Sequence, residues 1–198
     1  MENNNEGKRI AIDLDGVLFD FLTPFCIFYN QRHGTNFTIN DLITYHFLKV
    51  FQTSEKKFGR VMNDFYQSTL FRDLPLISDA QEGIRQLSQK NFLGVVTSRP
   101  DHTSPITLNS LGKHFPHIFS EVHFTSQYGG NGHKEKKSEY CLEHGYEIII
   151  EDVADYANEC AEKGIKSFLI TRPWNEKEQL HPSVTRVKNW PEILQRLQ

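Results

Sequence analysis

Cysteine is scarce in this chain of 198 residues: Cys26, Cys141 and Cys160 form an odd set with no close pairing and no metal-ligand spacing. That excludes a disulfide scaffold and suits a reducing compartment in which thiols serve as small buried apolar groups. An excess of positive charge is also missing. The formal net charge is −3, and the lysines and arginines are scattered apart from Lys134, Lys136 and Lys137, so the footprint of a protein that clamps duplex nucleic acid is absent. No apolar run reaches signal-peptide or membrane-spanning length, and the stretch from Met1 to Gly7 is polar and Asn-rich. A cytoplasmic location with no membrane partner is therefore expected. Internal repeats are lacking as well. Of the histidines, only His114 and His117 have a suggestive gap, but Pro116 interrupts it and no third ligand lies nearby, which argues against zinc.

What the sequence does contain is a series of apolar runs of strand length between helical patterns, the arrangement of a parallel sheet with crossover helices. Strands are expected at Arg9 to Asp13, Phe92 to Thr97, Glu121 to Thr125, Glu147 to Glu151 and Ser167 to Thr171. Helices are expected from Thr103 to Phe115, from Lys137 to His144, from about Val153 to Lys163 and in a short C-terminal piece opened by Pro191. A further helix follows Ser78, which with Gln81 has the spacing of a capping box. The first two strands are separated by about 80 residues, far more than a crossover requires. A small helical cap is expected in that gap, at 21–76, with a core domain formed by 8–20 and 77–198. Most of the many aromatic residues of 21–76 should form the core of the cap, and a minority should face a substrate.

In an open parallel sheet, ligands bind beyond the carboxyl ends of the strands. Asp13 ends the first strand, Thr97-Ser98-Arg99-Pro100 the second and Glu151-Asp152 the fourth. A carboxylate at such an edge can act as a nucleophile and split one difficult transfer into two easier ones. Held among other carboxylates it calls for a cation, and Asp13 and Asp152 offer the hard oxygen ligands that suit Mg²⁺. Asp15, two residues on, can serve as general acid to a leaving alkoxide and then as base to water. Gly16 lets the chain turn sharply behind it. Thr97, or Ser98 in its place, can donate a hydroxyl to a phosphoryl oxygen, and a lysine from the cluster at 134–137 can add positive charge. Arg99 can bind phosphate or sugar or pair with an acid. Asp155 can support the metal or cap the helix it opens, and Trp174, after the last core strand, either borders the site entrance or, the preferred reading, packs locally in an exposed loop.

These motifs resemble those of the haloacid dehalogenase superfamily of phosphotransferases: D-x-D-G-V at Asp13 to Val17, then Thr97, a lysine and the acidic pair Glu151-Asp152. The resemblance implies a three-layer Rossmann-like α/β core with a parallel five-stranded sheet and a small helical cap after strand one. It also implies that Asp13 is the aspartyl-phosphate nucleophile, Asp15 the acid/base and a main-chain carbonyl ligand to Mg²⁺, and Asp152 a metal ligand. Related sequences place a lysine at the head of a helix, which selects Lys137. The longer string D-L-D-G-V-L-F-D-F is similar to the 5'(3')-deoxyribonucleotidases, where the phenylalanine matching Phe21 borders the base. The chain departs from them in having Arg99-Pro100 after Thr97-Ser98, and Glu-Asp rather than Asp-Asp at 151–152. The expected function is a Mg²⁺-dependent phosphomonoesterase acting through an aspartyl phosphate, with a 5'-deoxynucleoside monophosphate as the first-choice substrate. Alternatives are a phosphatase of a sugar phosphate or other small ester, or a catalytically silent binding protein. The sequence leaves a homodimer open.

Overall fold

The computed structural model describes residues 7–126 and 135–197. Its sheet is built of β1 (Arg9–Ile12), β2 (Phe92–Thr97), β3 (Glu121–Phe124), β4 (Ile148–Glu151), β5 (Lys166–Ile170) and β6 (Val184–Val187). The order is β3-β2-β1-β4-β5-β6 and every pairing is parallel. The sheet thus carries six strands rather than the expected five. The additional strand, V-T-R-V, is a half-exposed edge strand of only four residues, too short to stand out by its pattern.

Helices α1 (Leu22–His33), α2 (Phe47–Val50), α3 (Glu55–Tyr66) and α4 (Thr69–Arg72) fall between β1 and β2, in the stretch expected to hold the insertion. They are followed by α5 (Ala80–Leu87), α6 (Ser104–His114), α7 (Lys137–Glu143), α8 (Ala154–Glu162) and α9 (Trp190–Leu197). The capping box at the start of α5 does not form. Asp79 occupies the cap position with φ +62°, Ser78 donates to the Asp79 carboxylate, and the Gln81 amide donates to the His114 carbonyl.

Successive side chains of a strand point to opposite faces, and both faces here are covered. Ile10, Ile12, Ile148, Ile150, Phe168 and Ile170 pack on one face with Ile84 of α5, Leu111 of α6 and Ile193 of α9. Ala11, Val96 and Ile149 face the other way, onto Tyr140 and Cys141 of α7 and Cys160 of α8. These two cysteines are buried packing groups, as is Cys26. Because both sides are dry, the central strands β1, β2 and β4 are apolar beyond Arg9, and their next polar residues come where they leave the sheet. The chain turns back from β3 to place β4 beside β1, so the strand order reverses at β1 and β4, where a ligand crevice is expected. Among the described residues, no helix is long and apolar enough to cross a membrane.

Candidate active site

Asp13, the first residue after β1, is tied to β4 by its backbone N–H, which donates to the Ile150 carbonyl at 3.0 Å. Glu151 closes β4 and Asp152 follows it. Lys137 is the first residue of α7, and although buried it reaches Asp13 Oδ1 at 2.6 Å and Glu151 Oε1 at 2.5 Å. The other Glu151 oxygen accepts the backbone N–H groups of Asp152 and Val153 at 3.0 and 3.2 Å. Glu151 is thereby spent on organising its neighbours. Lys136 pairs with Glu159 at the surface, and Lys134 lies outside the described residues.

Carboxylate oxygens of Asp13, Glu151 and Asp152 come within 4.8 Å of one another, facing the single ammonium of Lys137. Burial pushes the Asp13 carboxyl up to about 7, with Glu151 and Asp15 adding to the rise and Lys137 opposing it. Burial, then the charges of Asp13 and Glu151, raise Asp152 well above the usual carboxylate range. Burial works against the Lys137 charge, but Asp13 and Glu151 more than offset it and hold the ammonium protonated. Two carboxylates too many are buried here, a situation that a divalent cation resolves. Asp13 Oδ2 and Asp152 Oδ1 accept no hydrogen bond among the described residues, whereas the second oxygen of each does. The donor set therefore fits a hard cation. Gly16 (φ +79°) closes against this cluster, where an added Cβ would lie 2.1 Å from Asp152 Oδ2.

Asp15 stands apart from the acidic cluster. Arg99 holds both of its oxygens, at 2.9 Å (Nε) and 2.5 Å (NH2), so its main-chain carbonyl alone is left for a metal. Arg99, buried, therefore pairs with an acid, while still lining the cavity. The Thr97 hydroxyl accepts the Arg99 N–H at 3.2 Å. The Ser98 hydroxyl is buried without a conventional hydrogen-bond partner, near the Tyr156 phenol. Asp155 is exposed in the first turn of α8, outside the acidic cluster, where its charge complements the helix N-terminus.

Trp174 overturns its expected place in an exposed loop: it is 4% exposed, and its indole N–H donates to Asp152 Oδ2 at 3.0 Å. The sequence singles out neither Tyr156 nor Arg172. Tyr156 lies one helical turn after Asp152 and sets its ring 4.9 Å from Lys137 Nζ. Arg172 follows β5 at the same sheet edge as Asp13 and Asp152, and that position was the available signal for it.

Above the cluster lies a cavity that is partly open to solvent. Its floor is Asp13, Asp15, Thr97, Arg99, Lys137 and Asp152. Its upper wall comes from the stretch between β1 and β2 and is largely aromatic: Phe21, Phe25, Tyr45, Phe47, Phe58 and Tyr66. Asp20 positions the first of these by accepting the Thr23 N–H at the start of α1. Phe21 meets Phe65 edge to face at 5.2 Å and stacks on Phe25 at 6.2 Å.

Comparison with known proteins gives concordant results. Residues 8–197 match the family profile described as 5' nucleotidase, deoxy (pyrimidine), cytosolic type C protein. The 5'(3')-deoxyribonucleotidase of Bacillus subtilis (strain 168) is 28% identical over 192 residues, covering 96% of this chain and 98% of that protein. Among solved structures, the haloacid dehalogenase-like hydrolase SP0104 of Streptococcus pneumoniae superposes with a TM-score of 0.71 at 18% identity, covering 98% of this chain and 99% of the other. A magnesium-bound structure of YfnB from Bacillus subtilis superposes with a TM-score of 0.66 at 15% identity, covering 97% and 99%.

Proposed function

The chain belongs to the family of cytosolic type C 5'-nucleotidases, phosphoric monoester hydrolases of the haloacid dehalogenase superfamily, and from that premise we propose that it is a Mg²⁺-dependent phosphatase of nucleoside 5'-monophosphates, with deoxynucleotides as first choice. The observation that carries the reading is the meeting of Asp13, Lys137 and Asp152 beneath an aromatic-walled cavity. A flat base finds stacking partners there, which a sugar phosphate would leave unused. A cytoplasmic setting agrees with the family description and with three unpaired thiols.

In the proposed reaction an Asp13 carboxylate oxygen attacks phosphorus, and the bond from phosphorus to the ester oxygen breaks. Asp15 hands its proton to that oxygen. Water then attacks the aspartyl phosphate, Asp15 takes a proton from it, and the bond between phosphorus and Asp13 breaks to release phosphate. Lys137 and the hydroxyls of Thr97 and Ser98 face the phosphoryl oxygens, where negative charge gathers. Asp13, Asp152 and the Asp15 carbonyl would hold Mg²⁺, which when bound supplies neutralising charge to those oxygens.

The test is a panel of phosphate monoesters assayed with MgCl₂. Nucleoside 5'-monophosphates should be hydrolysed, and Asp13→Asn should abolish turnover. Hydrolysis that survives Asp13→Asn overturns the mechanism. Turnover of sugar phosphates without nucleotides overturns the substrate assignment.

A further inference from the structure

The segment T-R-P-W-N that leaves β5 directs its polar groups at the site. Arg172 donates from Nε and NH2 to the Gly16 carbonyl at 2.9 and 2.7 Å, fixing the turn that follows Asp15. The Trp174 indole N–H is shared between Asp152 Oδ2 at 3.0 Å and the Asp152 carbonyl at 3.2 Å. The Asn175 amide donates to the Asp152 carbonyl at 2.7 Å and the Ile170 carbonyl at 2.8 Å. Its oxygen accepts the Arg172 N–H at 3.1 Å and the Arg186 guanidinium at 2.8 Å. Asn175 is 1% exposed.

Such economy has a physical meaning. Asp152 sits just past the end of β4, and among the described residues Trp174 alone donates a hydrogen bond to its carboxylate. A buried indole N–H beside it gains a charge-assisted hydrogen bond and would cost dearly if left unpaired. With Trp174 on Oδ2, the rotation of the carboxylate is set and Oδ1 is the oxygen left for a cation. Outer partners of this kind orient metal ligands and tune affinity.

We propose that Trp174 and Asn175 are positioning residues of the cation site: Trp174 selects which Asp152 oxygen meets Mg²⁺, and Asn175 locks the backbone that presents it. The assignment rests on the Mg²⁺ reading given under Proposed function. It extends that site to a loop that none of the catalytic motifs contains.

The experiment titrates MgCl₂ alone into the full chain and follows the rise of Tm over each protein's own metal-free value, because a ligand that binds only the folded state raises Tm according to its affinity. Trp174→Phe keeps the ring bulk and removes the donor. Its Mg²⁺ affinity should fall roughly 10–100-fold, and a purely structural role would lower only the metal-free Tm. A second measurement needs no substitution: in ¹H–¹⁵N spectra of the wild type, the Trp174 indole N–H should move on MgCl₂ addition, more than that of Trp190, which donates to the Val17 carbonyl. Wild-type Mg²⁺ affinity in Trp174→Phe, or an unmoved Trp174 signal in a protein that binds Mg²⁺, overturns the assignment alone. A wild type that binds no Mg²⁺ overturns the metal reading and the assignment with it.

Discussion

Arg99 grips Asp15 in a two-pronged pair, Nε to Oδ2 at 2.9 Å and NH2 to Oδ1 at 2.5 Å, and its remaining nitrogen donates to Thr107 Oγ1 at 3.0 Å. The guanidinium also lies 4.9 Å from the centre of the Phe71 ring, in α4. A residue proposed to move protons is thus oriented by a buried cation wedged between α4 and α6.

The first prediction concerns that grip. Arg99→Lys keeps the charge but not the planar fork. It should lower kcat for nucleoside monophosphates by about 10²-fold, the scale of a misplaced general acid. An aryl phosphate with a good leaving group needs little proton donation and should lose much less. Equal losses on both esters, with KM rising, would mean that Arg99 acts by holding substrate.

The second follows from the buried acids. Asp13 has its folded pKa raised to about 7, so between the unfolded value near 4 and pH 7 the folded state binds the extra proton. Stability from this group is then lost as pH rises through that window. In metal-free buffer, wild type and Asp13→Asn should have similar Tm near pH 4.5, and the variant should become the more stable one above pH 7. Saturating MgCl₂ should reverse the order at pH 8. Thermal melts with and without chelator check both statements.

Gly16 supplies the third. A methyl group there would meet the Asp152 carboxylate, at a backbone angle that side chains rarely adopt. Gly16→Ala should cost about 1–3 kcal/mol in a urea titration and weaken Mg²⁺ binding as Asp152 shifts. An unchanged urea midpoint would contradict the packing described.

The fourth tests the aromatic wall. Phe21→Leu preserves apolar contact with Phe25 and Phe65 but removes a ring face. KM for nucleotides should rise about 5–10-fold, corresponding to about 1 kcal/mol of lost aromatic contact. A small phosphate ester without a base should keep its KM. A parallel rise for both would place Phe21 in the fold and not in recognition.

The sheet edge where the candidate residues gather was legible because its logic is local. A strand buried on both faces must be apolar to its end, so Asp13, Thr97 and Glu151-Asp152 announce where the sheet stops. Lys137 was preferred over Lys134 and Lys136 through the family resemblance, since the spacing of the three lysines does not separate them. What escaped notice depends on partners distant in sequence. Trp174 looks like a loop aromatic until the chain brings it to Asp152, 22 positions earlier. Arg99 reads equally well as a phosphate binder or an ion-pair partner, and only the position of Asp15, 84 residues away, decides between them. β6 gains its identity from pairing with β5, and the failed capping box at Ser78 reflects the left-handed turn at Asp79.

The cavity lining divides by origin. Each charged group in it, Asp13, Asp15, Arg99, Lys137 and Asp152, comes from outside 21–76, while that stretch contributes aromatics with Leu22 and Met62. On the proposed function, reactivity and selectivity are therefore encoded in separable lengths of chain, and the selective part is a single uninterrupted segment. Drift or recombination within it can change the diet of the enzyme without touching the residues that break the bond, so relatives with this floor and a different ceiling should share a reaction and differ in what they consume.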